Sequence, residues 1–194
     1  VDHGANPNAR YYLHQMIENK SSDLLRAFVV SPRIDLDRID PSRGVTALKL
    51  AWRKSDAVSF EILIKAGADV NKDKIIFGII LRISVSPVPL NIQMLDILLS
   101  AKKLDLEIWE RPSSEDIYGK EEITPLMYAS LMNDDALVVE KLMVVGANPN
   151  QVTSLCKFSA LLQISRKEYH DVEKAKIARI LLERGANPNL VGNP

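Results

Sequence analysis

Ile123-Thr-Pro-Leu-Met-Tyr-Ala-Ser-Leu-Met-Asn-Asp-Asp-Ala-Leu-Val-Val-Glu-Lys-Leu-Met-Val-Val-Gly-Ala-Asn-Pro-Asn150 reads as two short helices closed by a turn. Thr124 can cap a helix start, because its hydroxyl accepts a hydrogen bond from a free backbone N–H. Pro125 follows at the first helical position, where a missing N–H costs nothing. Ala129 keeps this first helix thin, so a second can pack close. The second apolar run, Val139 to Val145, meets Gly146, which closes a helix in a left-handed conformation that only glycine adopts cheaply. Asn148 and Asn150 then favour a turn through side-chain bonds to nearby backbone.

Both landmarks recur along the chain. Gly-Ala-Asx-x-Asn occurs at Gly4–Asn8, Gly67–Asn71, Gly146–Asn150 and Gly185–Asn189. Three copies follow an apolar helical run: Phe60 to Ala66, Val139 to Val145, and Ile180 to Arg184. Two weaker copies fill the gaps: Ile34-Asp-Leu-Asp37 after Leu24 to Val30, and Leu104-Asp-Leu-Glu107 after Leu95 to Ser100. The copies end at Asn8, Asp37, Asn71, Glu107, Asn150 and Asn189, at intervals of 29, 34, 36, 43 and 39 residues. The first landmark returns as Thr46-Ala-Leu-Lys-Leu-Ala51 and, more weakly, as Ser159-Ala-Leu-Leu-Gln-Ile164 and Tyr11-Tyr-Leu-His-Gln-Met16. Ile76-Phe-Gly-Ile-Ile-Leu81 is its remnant in the third unit.

A period of this size marks a stack of supersecondary units, none of which can bury its apolar faces alone. Thr46-Ala-Leu-Lys-Leu-Ala51 and Thr124-Pro-Leu-Met-Tyr-Ala129 are similar to Thr-Pro-Leu-His-x-Ala, the hexapeptide that opens the first helix of an ankyrin repeat. The resemblance to the ankyrin-repeat family covers nearly the whole chain. It implies an all-α solenoid of about five stacked helix-turn-helix units, approximately residues 9–37, 38–71, 72–107, 108–150 and 151–189. These form a single array over residues 1–194, cut from a longer protein. The units depart from the consensus at a long polar loop between Glu107 and Ile123, at the turn between Arg166 and Glu173, and at Ser84-Val-Ser-Pro-Val-Pro-Leu90. Insertions map to loops, either as binding elements or as drift in a tolerant segment. Such irregular units resemble ankyrin proteins of intracellular bacteria or large viruses that act on host proteins.

Composition narrows the function. Lys and Arg number 25, against 25 Asp and Glu, so the basic excess of a general nucleic-acid binder is absent. No run approaches the ~18 apolar residues of a membrane helix; Ile75 to Val85 is short and carries Arg82. The single cysteine, Cys156, excludes an internal disulfide and fits a reducing, cytoplasmic compartment, or a host cytosol for a secreted effector. Cys156 with His3, His14 and His170 makes neither a metal cluster nor a nucleophile–base pair. No Gly-rich phosphate loop occurs. Within this segment the expectation is neither enzyme nor cofactor. His14 falls on the histidine of the family hexapeptide, which implies a structural bond to the neighbouring turn. Trp52 and Trp109 fit an aromatic cage for a quaternary ammonium group, or simply fill grooves.

The resemblance implies a monomeric protein-binding module that holds its partner on the concave first-helix face and finger loops. The alternative is a docking domain of an enzyme whose catalytic part lies outside the segment. The family's variable groove positions fall on Gln15, Glu18 and Asn19 in unit one, and on Leu50, Arg53 and Lys54 in unit two. They fall on Tyr128, Leu131 and Met132 in unit four, and on Gln163, Arg166 and Lys167 in unit five. Unit four carries apolar residues where solvated ones would serve, and exposed apolar clusters mark interaction sites. Arg53, Lys54, Arg166 and Lys167 would rim that patch with positive charge, which fits an acidic or amphipathic partner segment. Trp109 and Tyr118 lie in the loop leading into unit four and would close over the same groove. Burial of Leu131 and Met132 by that loop or by unit five is the competing expectation.

Overall fold

The computed structural model describes residues 11–111, 122–132, 136–165 and 171–190, with side-chain surroundings from 172 in the last of these. Among the described residues there are ten α-helices and no strand. The all-α expectation holds. They are α1 (Tyr12–Glu18), α2 (Ser22–Val29), α3 (Ala47–Arg53), α4 (Ala57–Ala66) and α5 (Ile75–Val85). Then come α6 (Pro89–Leu99), α7 (Pro125–Met132), α8 (Leu137–Val144), α9 (Ala160–Ser165) and α10 (Asp171–Glu183).

The chain forms two compact units: residues 1–75 with 88–104, and residues 76–87 with 105–194. In the first, α1 packs on α2 and α3, α3 on α4, and α4 on both α2 and α6. In the second, α7 packs on α8 and α9, and α10 on α8 and α9. First helices therefore stack on first helices and second on second. Leu25, Leu48, Phe60, Leu63 and Leu95 fill the first core, and Leu126, Val139, Leu142 and Leu181 the second, all at most 1% exposed.

The capping devices read from the sequence are present. The Thr46 hydroxyl accepts from Lys49 N–H at 3.2 Å, and the Thr124 and Ser159 hydroxyls do the same for Met127 and Leu162. Gly67, Gly146 and Gly185 stand at φ 96°, 95° and 91°. At Gly67 the helix end closes through Gly67 N–H to Ile64 O and Ala68 N–H to Leu63 O, and the other two repeat the pattern. A residue with a Cβ is strained in this conformation, which explains why the glycine recurs.

Two finger loops narrow to single antiparallel bridges, Asp40 with Val45 and Glu110 with Ile123. The third unit has no such finger. Helix α3 begins ten residues after Asp37 and α9 ten after Asn150, whereas α5 begins four after Asn71. The missing six residues are those that carry the turn and the capping Thr. This is why the hexapeptide was not legible there.

Candidate functional site

A five-times-repeated turn positions everything else. The N–H groups of Asp37, Asn71, Glu107, Asn150 and Asn189 each donate to the carboxylate or carboxamide oxygen two residues earlier, at 2.8–3.0 Å. The second member of each of the first four turns then reaches onward. Asp37 Oδ1 accepts from Asp69 N–H at 2.7 Å, and Asn71 Nδ2 donates to Lys103 O at 2.8 Å. Glu107 Oε1 accepts from Asn148 N–H at 2.8 Å. Asn150 does both: Oδ1 accepts from Asn187 N–H at 2.7 Å and Nδ2 donates to Gly185 O at 2.9 Å. The sequence reading assigned these residues a local turn only; their recurrence at the repeat interval was the signal for the longer reach.

His14 is 2% exposed, and its Nε2 donates to Val45 O at 2.9 Å. The expected structural bond to the neighbouring finger is present. That finger is held by Asp40, whose Oδ1 accepts from Ser42 N–H and from the Ser42 hydroxyl at 2.9 and 2.7 Å. Arg43 pairs with its other oxygen. The Ser42 hydroxyl bond, with the Ser42 N–H and the Arg43 guanidinium, holds the Asp40 carboxyl down at about 2.

The predicted partner residues separate by exposure. Tyr128 and Leu131 are buried, at 8% and 7% exposed, and Met132 is half-buried. The Tyr128 ring meets Phe77 edge-on, with centroids 5.6 Å apart, and burial pushes its hydroxyl pKa up. Leu50 and Gln163 are buried too, at 6% and 1%. Exposure was the premise for placing a partner on unit four, and Tyr128 and Leu131 lack it; α7 is spent on packing against α8 and α9. Among the described residues Gln163 finds no hydrogen-bond partner for either amide atom, an arrangement that costs stability.

Arg53 and Lys54 are exposed, as are Gln15 and Asn19. Lys54 Nζ lies 2.5 Å from a Glu18 carboxylate oxygen, and Arg43 Nε lies 3.6 Å from the other. Glu18 thus offsets the charge expected to rim a groove. Trp109 and Trp52 are each half-buried. Tyr118, Arg166, Lys167, His3 and His170 lie outside the described residues.

A surface that the sequence reading passed over lies on α5. Phe77, Leu81 and Val85 are spaced four residues apart, which places them along one side of the helix. Phe77 is buried against Tyr128, but Leu81 is 40% and Val85 79% exposed. The spacing was visible in the run used only to exclude a membrane helix. Among the described residues no helix is long and apolar enough to cross a membrane. No group of three His, Cys, Asp or Glu there is placed to hold a metal.

Residues 121–154 match the family description of the ankyrin repeat. Over 94% of this chain and 85% of the other, the fold is similar to an ankyrin repeat domain from Acinetobacter baumannii, with a TM-score of 0.69 and 27% identity. A second crystal structure, of an ankyrin repeat protein, matches 93% of this chain and 84% of its own with a TM-score of 0.67 and 18% identity. The ankyrin repeat domain of Bcl-3, of the IkappaB family, matches 92% and 71% with a TM-score of 0.61 and 19% identity. No curated protein matches the chain. The fold is that of an ankyrin-repeat domain, one that generally mediates protein–protein interaction and is typically non-catalytic.

Proposed function

We propose that this ankyrin-repeat chain, a single array of five units, holds a partner protein on its first-helix face, with the exposed apolar stripe of α5 as the anchor. The observation that carries the reading is the pair Leu81 and Val85, exposed on the same side of the helix as buried Phe77. Aliphatic side chains held in water on a regular helix gain by being covered, at about 25 cal/mol per Å². They suit the apolar side of an amphipathic partner segment. Half-buried Met132, which can adapt to an irregular surface, and exposed Arg53 and Lys54 remain candidate contacts, with Arg166, Lys167, Trp109 and Tyr118. The reading extends to a host-directed protein of bacterial or viral origin acting in a reducing cytosol. The irregular units and the likeness to a bacterial domain support that extension.

The test is the double change Leu81→Glu and Val85→Glu, compared with the wild type in affinity capture from cell lysate. A partner retained by the wild type should be lost by the variant, while helical content and melting midpoint stay within error. Unchanged retention by a folded variant would move the site off α5.

A further inference from the structure

A serine or threonine precedes proline at Ser31-Pro32, Ser86-Pro87 and Thr124-Pro125. The fold treats the three differently. Thr124 is 1% exposed, and its hydroxyl accepts from Met127 N–H as the cap of α7. Ser31 is half-buried in a turn that Ile34 N–H closes onto Ser31 O at 3.2 Å, and its hydroxyl accepts from Arg33 N–H at 3.4 Å. Ser86 stands in the longest run of exposed residues among those described, Val85 to Leu90. Pro87 and Pro89 have no N–H to bond, and Val88 between them is extended at φ −74° and ψ 150°. The neighbouring Ser84 is half-buried, with its hydroxyl donating to Leu81 O at 2.8 Å. Grooves that grip polyproline take a longer extended stretch, and here Pro89 already opens α6. A kinase cleft needs an accessible hydroxyl followed by open chain, and Ser86 offers both.

We propose that Ser86 is the acceptor of a proline-directed serine kinase, and that the phosphate it receives closes the α5 stripe to its partner. The second half rests on the reading of Leu81 and Val85 as the anchor; the first half does not. In the transfer, Ser86 Oγ attacks the γ-phosphorus of ATP. An O–P bond forms, the bond to the bridging oxygen of ADP breaks, and the hydroxyl proton passes to the catalytic carboxylate of the kinase. The product carries about two negative charges at neutral pH. Ser86 follows Val85 directly, and its N–H donates to Arg82 O at 2.9 Å, so this charge sits at the last turn of α5. The carbonyls that end a helix carry negative partial charge and offer a phosphate no donor. Arg82 lies one turn back, in the row beside Leu81. Hydrated or drawn towards Arg82, the phosphate stays next to the stripe. A partner covering Leu81 and Val85 would have to strip water from a dianion, a cost that two aliphatic side chains do not offset.

The test incubates the full chain with a proline-directed serine/threonine kinase and Mg-ATP and locates the modification by peptide mass. One phosphate should appear, on Ser86, with Ser31 and Thr124 unmodified. Ser86→Ala should take none, and Pro87→Ala should take none although the hydroxyl remains. A chain left unmodified, or modified elsewhere with Ser86 bare, overturns the acceptor assignment. Equal modification of Ser86 in Pro87→Ala overturns the proline direction. The phosphorylated chain is then compared with Ser86→Ala, treated the same way, in affinity capture from lysate. The species that Leu81→Glu with Val85→Glu loses should fall roughly tenfold on phosphorylation and remain with Ser86→Ala. Equal retention before and after phosphorylation overturns the regulation while α5 stays the anchor. A wild type that retains nothing the double variant loses overturns the anchor reading and the regulation together, and the acceptor assignment is then decided by the mass alone.

Discussion

Helices α3 and α5 open consecutive units yet are built differently. Helix α3 follows a finger tied by Asp40, begins on a Thr46 cap, and runs seven residues. The Thr46 hydroxyl also donates to Asp73 Oδ2 at 2.5 Å, and Lys49 lies 3.6 Å from the other oxygen. Helix α5 follows Asn71 almost at once and runs eleven residues, nearly all apolar. Both bury comparable cores: Leu48 and Ala51 in one, Ile76, Ile79 and Ile80 in the other. What differs is the rest of the helix. At the end of α3 stand the exposed Arg53 and Lys54; along the second half of α5, Leu81 and Val85 are exposed, with Arg82 and Ser84 between them. The degenerate unit keeps its packing and leaves two aliphatic side chains exposed beside Arg82 and Ser84.

The largest effect tests whether the two cores are equivalent. Leu48→Ala in α3, Leu126→Ala in α7 and Ile80→Ala in α5 each remove a side chain at most 1% exposed. Each should cost about 2–5 kcal/mol in urea denaturation. A cost under half a kcal/mol at Ile80 alone, roughly a twofold change in the folding constant, would mean that α5 is loosely held, and the comparison would fail.

Next comes the cap. Thr46→Ala removes the bond to Lys49 N–H and the one to Asp73, and should cost about 1–2 kcal/mol. Lys74, not a threonine, precedes α5, so no hydroxyl can be deleted there. A cost near zero would show that the finger adds nothing to the stability of α3.

How far the sequence could be read follows the same division. Helices α3, α4, α7 and α8 were legible because their starts and stops need particular atoms: a hydroxyl at Thr46 or Thr124, no Cβ at Gly67 or Gly146. Helix α5 was legible only as a remnant, since its start lacks the finger and the threonine. The site fared less well. Groove positions were assigned by place in the hexapeptide, and place fixes the direction of a side chain but not what covers it. Tyr128 lies under Phe77, and Lys54 is paired with Glu18 by a fold neighbour 36 positions away. Neither contact is written in local spacing.

The finger of α3 carries a smaller, pH-dependent effect. Asp40 is held at about 2 by the Ser42 hydroxyl, with the Ser42 N–H and Arg43, below its unfolded value of about 3.9. A depressed carboxyl contributes stability that is complete above the unfolded value and lost as the pH falls through the folded one. Amide exchange at Ser42 and Gly44 should therefore stay slow down to about pH 4 and quicken towards pH 2. α5, with no finger, should show no such step at its start. An Asp40 carboxyl titrating near 3.9 would remove this distinction.

The smallest effect lies at the other end of α3. Ser55 turns the chain into α4 at φ 56°, with its N–H donating to Trp52 O and the N–H of Asp56 to Ala51 O. This is the two-bond closure seen at Gly67, formed here by a residue with a Cβ. Left-handed backbone costs an L-residue about 1–2 kcal/mol, while glycine gives back about 0.4–1 kcal/mol through its freer unfolded chain. Ser55→Gly should therefore stabilise the protein by about 0.5 kcal/mol, as should Lys20→Gly at φ 53° in the matching turn after α1. The junction after α5 is a different case: Val88 is extended and Pro89 begins α6, so Ser86→Gly has no left-handed strain to relieve and should destabilise slightly. Measured midpoints that rise at Ser55 and Lys20 and fall at Ser86 would sharpen the contrast. A rise at all three would mean that the α5 junction strains its backbone as the regular turns do.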